Sequence, residues 1–162
     1  MKVTYDLYAE TNPAFISFLL YRFVKTFDEA STQSPHFSLA YLIVPMALSE
    51  RLEPSFSSTN SATGLLAWLN RFPEVRIGLQ QDVKLSRDVT AQGLRAALHS
   101  QLLALGANGT LALGNAGKPP ENTKSKLSSV PKNAVTRAER LGRWMANVGG
   151  PATIFSVLEV RP

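Results

Sequence analysis

Two histidines, twelve carboxylates and no cysteine are the whole stock from which this 162-residue chain could build acid–base, nucleophilic or metal chemistry. His36 and His99 stand far apart, without neighbours at ligand spacing, so each reads as a structural or surface histidine and no metal site is expected. The absence of cysteine rules out disulfides, thiolate zinc sites and thiol nucleophiles, and suits a reducing compartment. The carboxylates are scattered, and Glu50 and Glu53 flank Arg51, where local ion pairing accounts for them. No serine sits in a GxSxG turn, and Gly106, Gly109, Gly114 and Gly117 are spaced like turns rather than like a phosphate-cradling loop. The chain therefore reads as a non-enzyme, with no catalytic residue and no cofactor.

What remains is charge. Through Leu113 the Lys and Arg residues balance the Asp and Glu residues. Beyond it come Lys118, Lys124, Lys126, Lys132, Arg137, Arg140, Arg143 and Arg161 against Glu121, Glu139 and Glu159, which carry the whole net charge of +5. Such asymmetry points to phosphate or to an acidic partner, the alternative being a solvated basic face. Arg137, Arg140 and Trp144 fall at i, i+3 and i+7, on one helical face, and lysines from a Gly/Pro/Ser-rich stretch flank them. Lys118, Lys124, Lys126, Lys132, Arg137 and Arg140 are thus the candidate nucleic-acid contacts, able to neutralise phosphates without reading bases. The competing reading has Glu139 pairing with Arg143 and Trp144 packed inward. On the first reading, replacing Arg137, Arg140 and Arg143 together weakens binding and leaves the fold intact.

The elements that must position these residues are mostly helical. With 44% hydrophobic and 18% charged residues the composition is that of one globular domain spanning 1–162. Asn12-Pro13 opens a helix to about Asp28 whose apolar residues cover more than one stripe, as in a core helix or an obligate interface. Residues 37–48 read as a helix kinked at Pro45 or a strand-like piece before a short helix. Ser55 to Ser61 reads as a linker, and Thr63 to Arg71 as a short amphipathic helix. Residues 74–86 fit either period, with helix preferred. Asp88 is placed to cap a helix running through Leu94, Leu98, Leu102 and Leu105 to a stop at Gly106. Asn108-Gly109 then marks a tight turn before a short strand, Thr110 to Leu113. Residues 114–132 read as a flexible basic loop, Asn133 as the cap of a helix to about Val148, and 152–158 as either helix or strand. The fold class expected is mainly α (α+β): a compact helical domain with a winged-helix-like helix-helix-hairpin element and a C-terminal helix. No stretch is apolar enough for a membrane span, and MKVTYDLYAETNPAF lacks a signal-type run, so a cytoplasmic placement is expected.

Three blocks carry a family resemblance: NPAF with its apolar helix (Asn12 to Phe27), TGLLAWLNRFPEVRIGL (Thr63 to Leu79), and RAERLGRWMANVGGPATIFSVLEVRP (Arg137 to Pro162). Together they resemble the middle component of bacterial three-component ABC-ATPase (ABC-3C) conflict systems, the family that includes the small subunit of Lamassu-type anti-phage defence. The matching positions are Asn12, Pro13, Phe15, Leu141, Gly142, Arg143, Trp144, Pro151, Thr153, Ile154, Phe155, Arg161 and Pro162. The resemblance implies an SMC-like ABC ATPase as one partner, a nuclease or other effector as another, and DNA met through the assembled complex. It assigns no residue a role. On residue type, Arg143, Trp144, Phe155 and Arg161 are the candidate partner anchors, joined by Phe15 and Phe23 of the aromatic first helix. The functional expectation is a non-catalytic adaptor bridging ATPase and effector; the alternative is a free-standing winged-helix DNA-binding regulator, its helix from Val89 to Leu105 in the major groove.

Overall fold

A computed structural model describes residues 12–162, so most of the opening stretch on which the expectation of no signal sequence rests lies outside the described residues. The architecture is built around α1, Pro13–Ala30. The Asn12 side chain accepts a hydrogen bond from the Ala14 N–H at 2.9 Å, and Pro13 occupies the first turn, where its missing N–H costs nothing. Phe15, Ile16, Leu19, Leu20, Phe23, Val24 and Phe27 are all buried, so the helix is apolar nearly all round because it is the centre of the core.

The helices around it follow in chain order: α2 Ala40–Leu48, α3 Glu53–Phe56, α4 Leu65–Arg71, α5 Leu79–Leu85, α6 Arg87–His99, α7 Ser129–Ala146 and α8 Pro151–Val157. Pro45 sits inside α2, which remains helical with Leu42, Ile43, Val44, Met46 and Ala47 at zero exposure. Packing outweighs the hydrogen bond the proline removes. The expected linker at 55–61 is instead the end of α3 followed by turns, and 73–85 is a 3-10 turn followed by α5. The reading of 152–158 resolves as helix, with Leu158 and Val160 buried beyond it.

α6 and α7 clasp α1 on two sides. Each crossing has a glycine where an added Cβ would clash with α1. A Cβ on Gly93 would stand 2.7 Å from the Ile16 Cβ, and one on Gly142 would stand 2.8 Å from the Phe23 carbonyl oxygen.

Two boundaries differ from the expectation. α6 ends at His99 rather than near Leu105, because Gln101 adopts a left-handed conformation (φ 60) and LALGANGTLAL folds on itself. β1, Leu103–Leu105, pairs antiparallel with β2, Leu111–Leu113, in the register Leu103↔Leu113 and Leu105↔Leu111. In the hairpin one leucine of each facing pair is buried, Leu103 opposite Leu113 and Leu111 opposite Leu105, where a helix would have spread the four around its circumference. The turn forms at Asn108 (φ 61) and Gly109 (φ 75), as the Asn-Gly pair predicts. Leu111 N–H donates to the Pro35 carbonyl at 2.7 Å and His36 bridges Thr110, tying the hairpin to the segment before α2. The second difference is that α7 begins at Ser129, so Lys132 and Asn133 are helical, and the preceding basic stretch contains a 3-10 turn at Lys124–Lys126.

Candidate partner-binding surfaces

The three residues on one face of α7 point inward. Arg137 Nε donates to the Ala47 carbonyl at 2.8 Å, Arg140 Nη1 donates to the Phe56 carbonyl at 3.1 Å and to Thr59 Oγ1 at 3.0 Å, and Trp144 Nε1 donates to the Asn60 carbonyl at 3.0 Å. Ala47 and Phe56 lie in the final turns of α2 and α3, whose last carbonyls have no helical partner. The face therefore acts as a row of donors that caps two short helices and fixes the chain from 47 to 60. Arg137 is buried, and desolvation lowers its guanidinium below the ordinary value, an effect opposed by Glu53 and increased by Arg140. Desolvation lowers Arg140 likewise. Both stay protonated at any physiological pH. The sequence reading offered these arginines to phosphate; in the structure Arg137 Nε and Arg140 Nη1 donate to backbone carbonyls of the chain itself, and Arg137 Nη1 stands 4.0 Å from Glu53.

The other candidates divide. Lys124 is ion-paired with Glu139, which also accepts from Arg22 Nη2 at 3.0 Å, so Glu139 joins α1, α7 and the basic stretch and does not pair with Arg143. Arg143 pairs instead with Glu29 at 2.8 Å, at the surface. Lys118 and Lys126 are exposed, Lys132 is half-buried, and none of these three takes part in an ion pair among the described residues. Phe15, Phe23 and Trp144 are buried in the chain's own core, Trp144 in an aromatic cluster with Trp68 (ring centroids 5.3 Å apart) and Phe56 (6.0 Å).

Phe155 and Arg161 alone among the candidate partner anchors meet at an open cleft, of about 670 Å³, between α5, the start of α6 and the tail after α8. The tail is held by the Gln80 side-chain amide: Arg161 N–H donates to Gln80 Oε1 at 2.7 Å and Gln80 Nε2 donates to the Arg161 carbonyl at 3.3 Å. Arg76 Nε caps the end of α8 by donating to the Val157 carbonyl at 2.8 Å. Lys84 and Arg87 on the cleft wall were missed by the sequence reading, because they lie in the half of the chain whose charges cancel in sum. No local signal marked them, since Asp82 and Asp88 flank them in sequence and only the fold shows Asp82 engaged by Arg51 at 2.7 Å.

The histidines behave as structural or surface groups. His36 Nδ1 lies 2.7 Å from Ser38 Oγ and accepts from the Ser38 N–H at the start of a 3-10 turn, and His99 is exposed. Among the described residues no cluster of His, Asp and Glu is suited to a metal, and no helix is long and apolar enough to cross a membrane.

Comparison with curated proteins and with solved structures gives no match. A family model does match, over residues 3–162, and on that near-complete coverage the chain belongs to the ABC-three component (ABC-3C) system Middle Component 3 family.

Proposed function

We propose that the chain is a non-catalytic adaptor in a bacterial anti-phage defence assembly, where it bridges an SMC-like ABC ATPase and an effector such as a nuclease, in the cytoplasm. The observation that carries this reading is membership, over almost the whole chain, in a family described as the middle component of a three-component system, which places it among other components. The investment of Arg137, Arg140 and Trp144 in internal hydrogen bonds supports a rigid scaffold with its recognition surfaces elsewhere. DNA contact belongs to the assembly in this reading, with Lys118 and Lys126 as the exposed cations of the basic stretch. Co-expression with the products of the neighbouring genes tests it. The expected result is a stable complex on size exclusion; a chain that elutes alone and monodisperse sinks the adaptor.

A second reading is a free-standing regulator. It is favoured by the hairpin that follows α6 directly and by the exposure of Gln92, Arg95 and His99 on that helix. Sequence-selective binding of duplex DNA by the isolated chain, under competition with unrelated duplex, separates it from the adaptor.

A further inference from the structure

We propose that the cleft beside the C-terminal tail is the docking site for an acidic peptide segment of another component of the assembly, a proposal that rests on the adaptor reading. Its floor is apolar, formed by Tyr41, Val83 and Phe155. Its wall carries Lys84, Arg87 and Arg161, contributed by α5, α6 and the tail, and none of these forms an ion pair among the described residues. The one acidic side chain among the lining residues, Glu159, stands 4.0 Å from Arg76, which shares its charge. Three cationic side chains thus line the cleft against one acidic side chain.

A concave site of this volume, inside the ~300–1,000 Å³ range of ligand-sized clefts, admits the side chains of a partner segment. An apolar floor rimmed by cations matches an acidic chain that carries an aliphatic or aromatic residue between its carboxylates. The apolar side chain supplies desolvation, and the carboxylates supply orientation and rate of encounter. The two hydrogen bonds between the Gln80 side-chain amide and the Arg161 backbone hold the tail against α5, which lowers the ordering needed on binding.

The experiment uses the full chain co-expressed with its gene neighbours, as wild type, as Lys84→Glu/Arg87→Glu and as Lys25→Glu/Arg71→Glu, which makes the same charge change at cations outside the cleft and the basic stretch. Lys84 and Arg87 lie at the cleft rim, and Lys84→Gln/Arg87→Gln repeats the test with less perturbation at the end of α5. Loss of two ion pairs plus new repulsion is expected to lower partner recovery at least about tenfold in the cleft variant and little in the control. In parallel, a fluorescein-labelled twelve-residue peptide of alternating Glu, Leu and Phe should bind the isolated wild-type chain, weaken with salt, and lose binding when Lys replaces Glu. A complex that forms equally well with the cleft variant overturns the cleft and leaves the adaptor standing. No complex with wild type removes both. A cleft variant that keeps its partners and loses binding to a 20-base-pair duplex assigns the cleft to phosphate and overturns the peptide.

Discussion

Arg137, on α7, donates from Nε to the carbonyl of Ala47, 90 positions earlier, at 2.8 Å. The acceptor is one of the terminal carbonyls of α2, so a residue that reads from sequence as a phosphate ligand closes the end of a neighbouring helix. Arg137→Ala leaves that buried carbonyl without a donor, which costs roughly 1–3 kcal/mol. In a chain of this length a melt should fall by about 2–4 °C per kcal/mol. Arg143→Ala breaks only the surface pair with Glu29, both partners being more than 40% exposed, and should stay within about 0.5 kcal/mol. A triple replacement of Arg137, Arg140 and Arg143 is therefore expected to lower stability, contrary to the sequence-based expectation of an intact fold. Thermal melting of the three single variants checks the division.

Trp144→Ala should be the most costly side-chain truncation on α7. The ring is 1% exposed, stacks with Phe56, packs at a tilt against Trp68, and donates to the Asn60 carbonyl. Removing a buried aromatic costs about 3–5 kcal/mol, and denaturant unfolding followed by the remaining Trp68 fluorescence reads it.

Glycine replacements at a helix crossing and at a helix entry predict opposite outcomes. Gly142→Ala drives a methyl against the Phe23 carbonyl, which belongs to the rigid backbone of α1, and should cost about 1–3 kcal/mol. Gly150, before α8, has open space for at least 4 Å around the position a methyl would take and sits at φ −74, so Gly150→Ala should change stability by less than about 0.5 kcal/mol. Equal melts for the two variants would mean that α1 and α7 can separate without loss.

Asp28 gives a pH dependence with a definite sign. Burial raises its carboxyl above the ordinary 3.8, and a hydrogen bond to Ser34 offsets this in part. The folded state therefore holds the proton to higher pH than the unfolded state does. The contribution favours folding below the unfolded value and is lost as pH rises through the raised one. Asp28→Asn should be more stable than wild type near neutrality, with the difference shrinking on acidification toward about pH 4, where the unfolded carboxyl also takes up its proton. Denaturant unfolding of both proteins across that range measures it.

How far the sequence led depended on whether a pattern had one physical solution. Asn12-Pro13, Asn108-Gly109 and the break at Gly149-Gly150-Pro151 are locally determined signals, and each element boundary there lies where they place it. The helix predicted through Leu105 was misplaced because a leucine every three or four residues suits helix and hairpin alike, and only the symmetry of LALGANGTLAL about its turn separates them. The arginine row was seen as a row, since helical spacing is a local property. Its direction was not visible, because the groups that receive it, Ala47, Phe56 and Asn60, are backbone carbonyls with no side-chain signature. The cleft escaped for a related reason: Arg161 is remote in sequence from Lys84 and Arg87 and comes to the same cleft only where the tail pairs with Gln80.

Glu139 connects three parts of the chain, and its two partners predict separable effects. It receives Arg22 from α1 at 3.0 Å and Lys124 from the basic stretch, with all three side chains between 18% and 26% exposed. Glu139→Ala leaves two poorly hydrated cations facing each other and should cost roughly 1–2 kcal/mol, between the values for exposed and fully buried pairs. Lys124→Ala removes only the outer partner, so the melt should hardly move. The segment around the 3-10 turn at Lys124–Lys126 should nevertheless lose its tether to α7, and its amides should exchange faster with solvent. Hydrogen exchange read by mass spectrometry over residues 118–128 distinguishes the cases. Faster exchange in both variants with a lowered melt only in Glu139→Ala is the expected result; unchanged exchange in Lys124→Ala would show that the stretch is held by Leu127, which packs against the core, rather than by the ion pair.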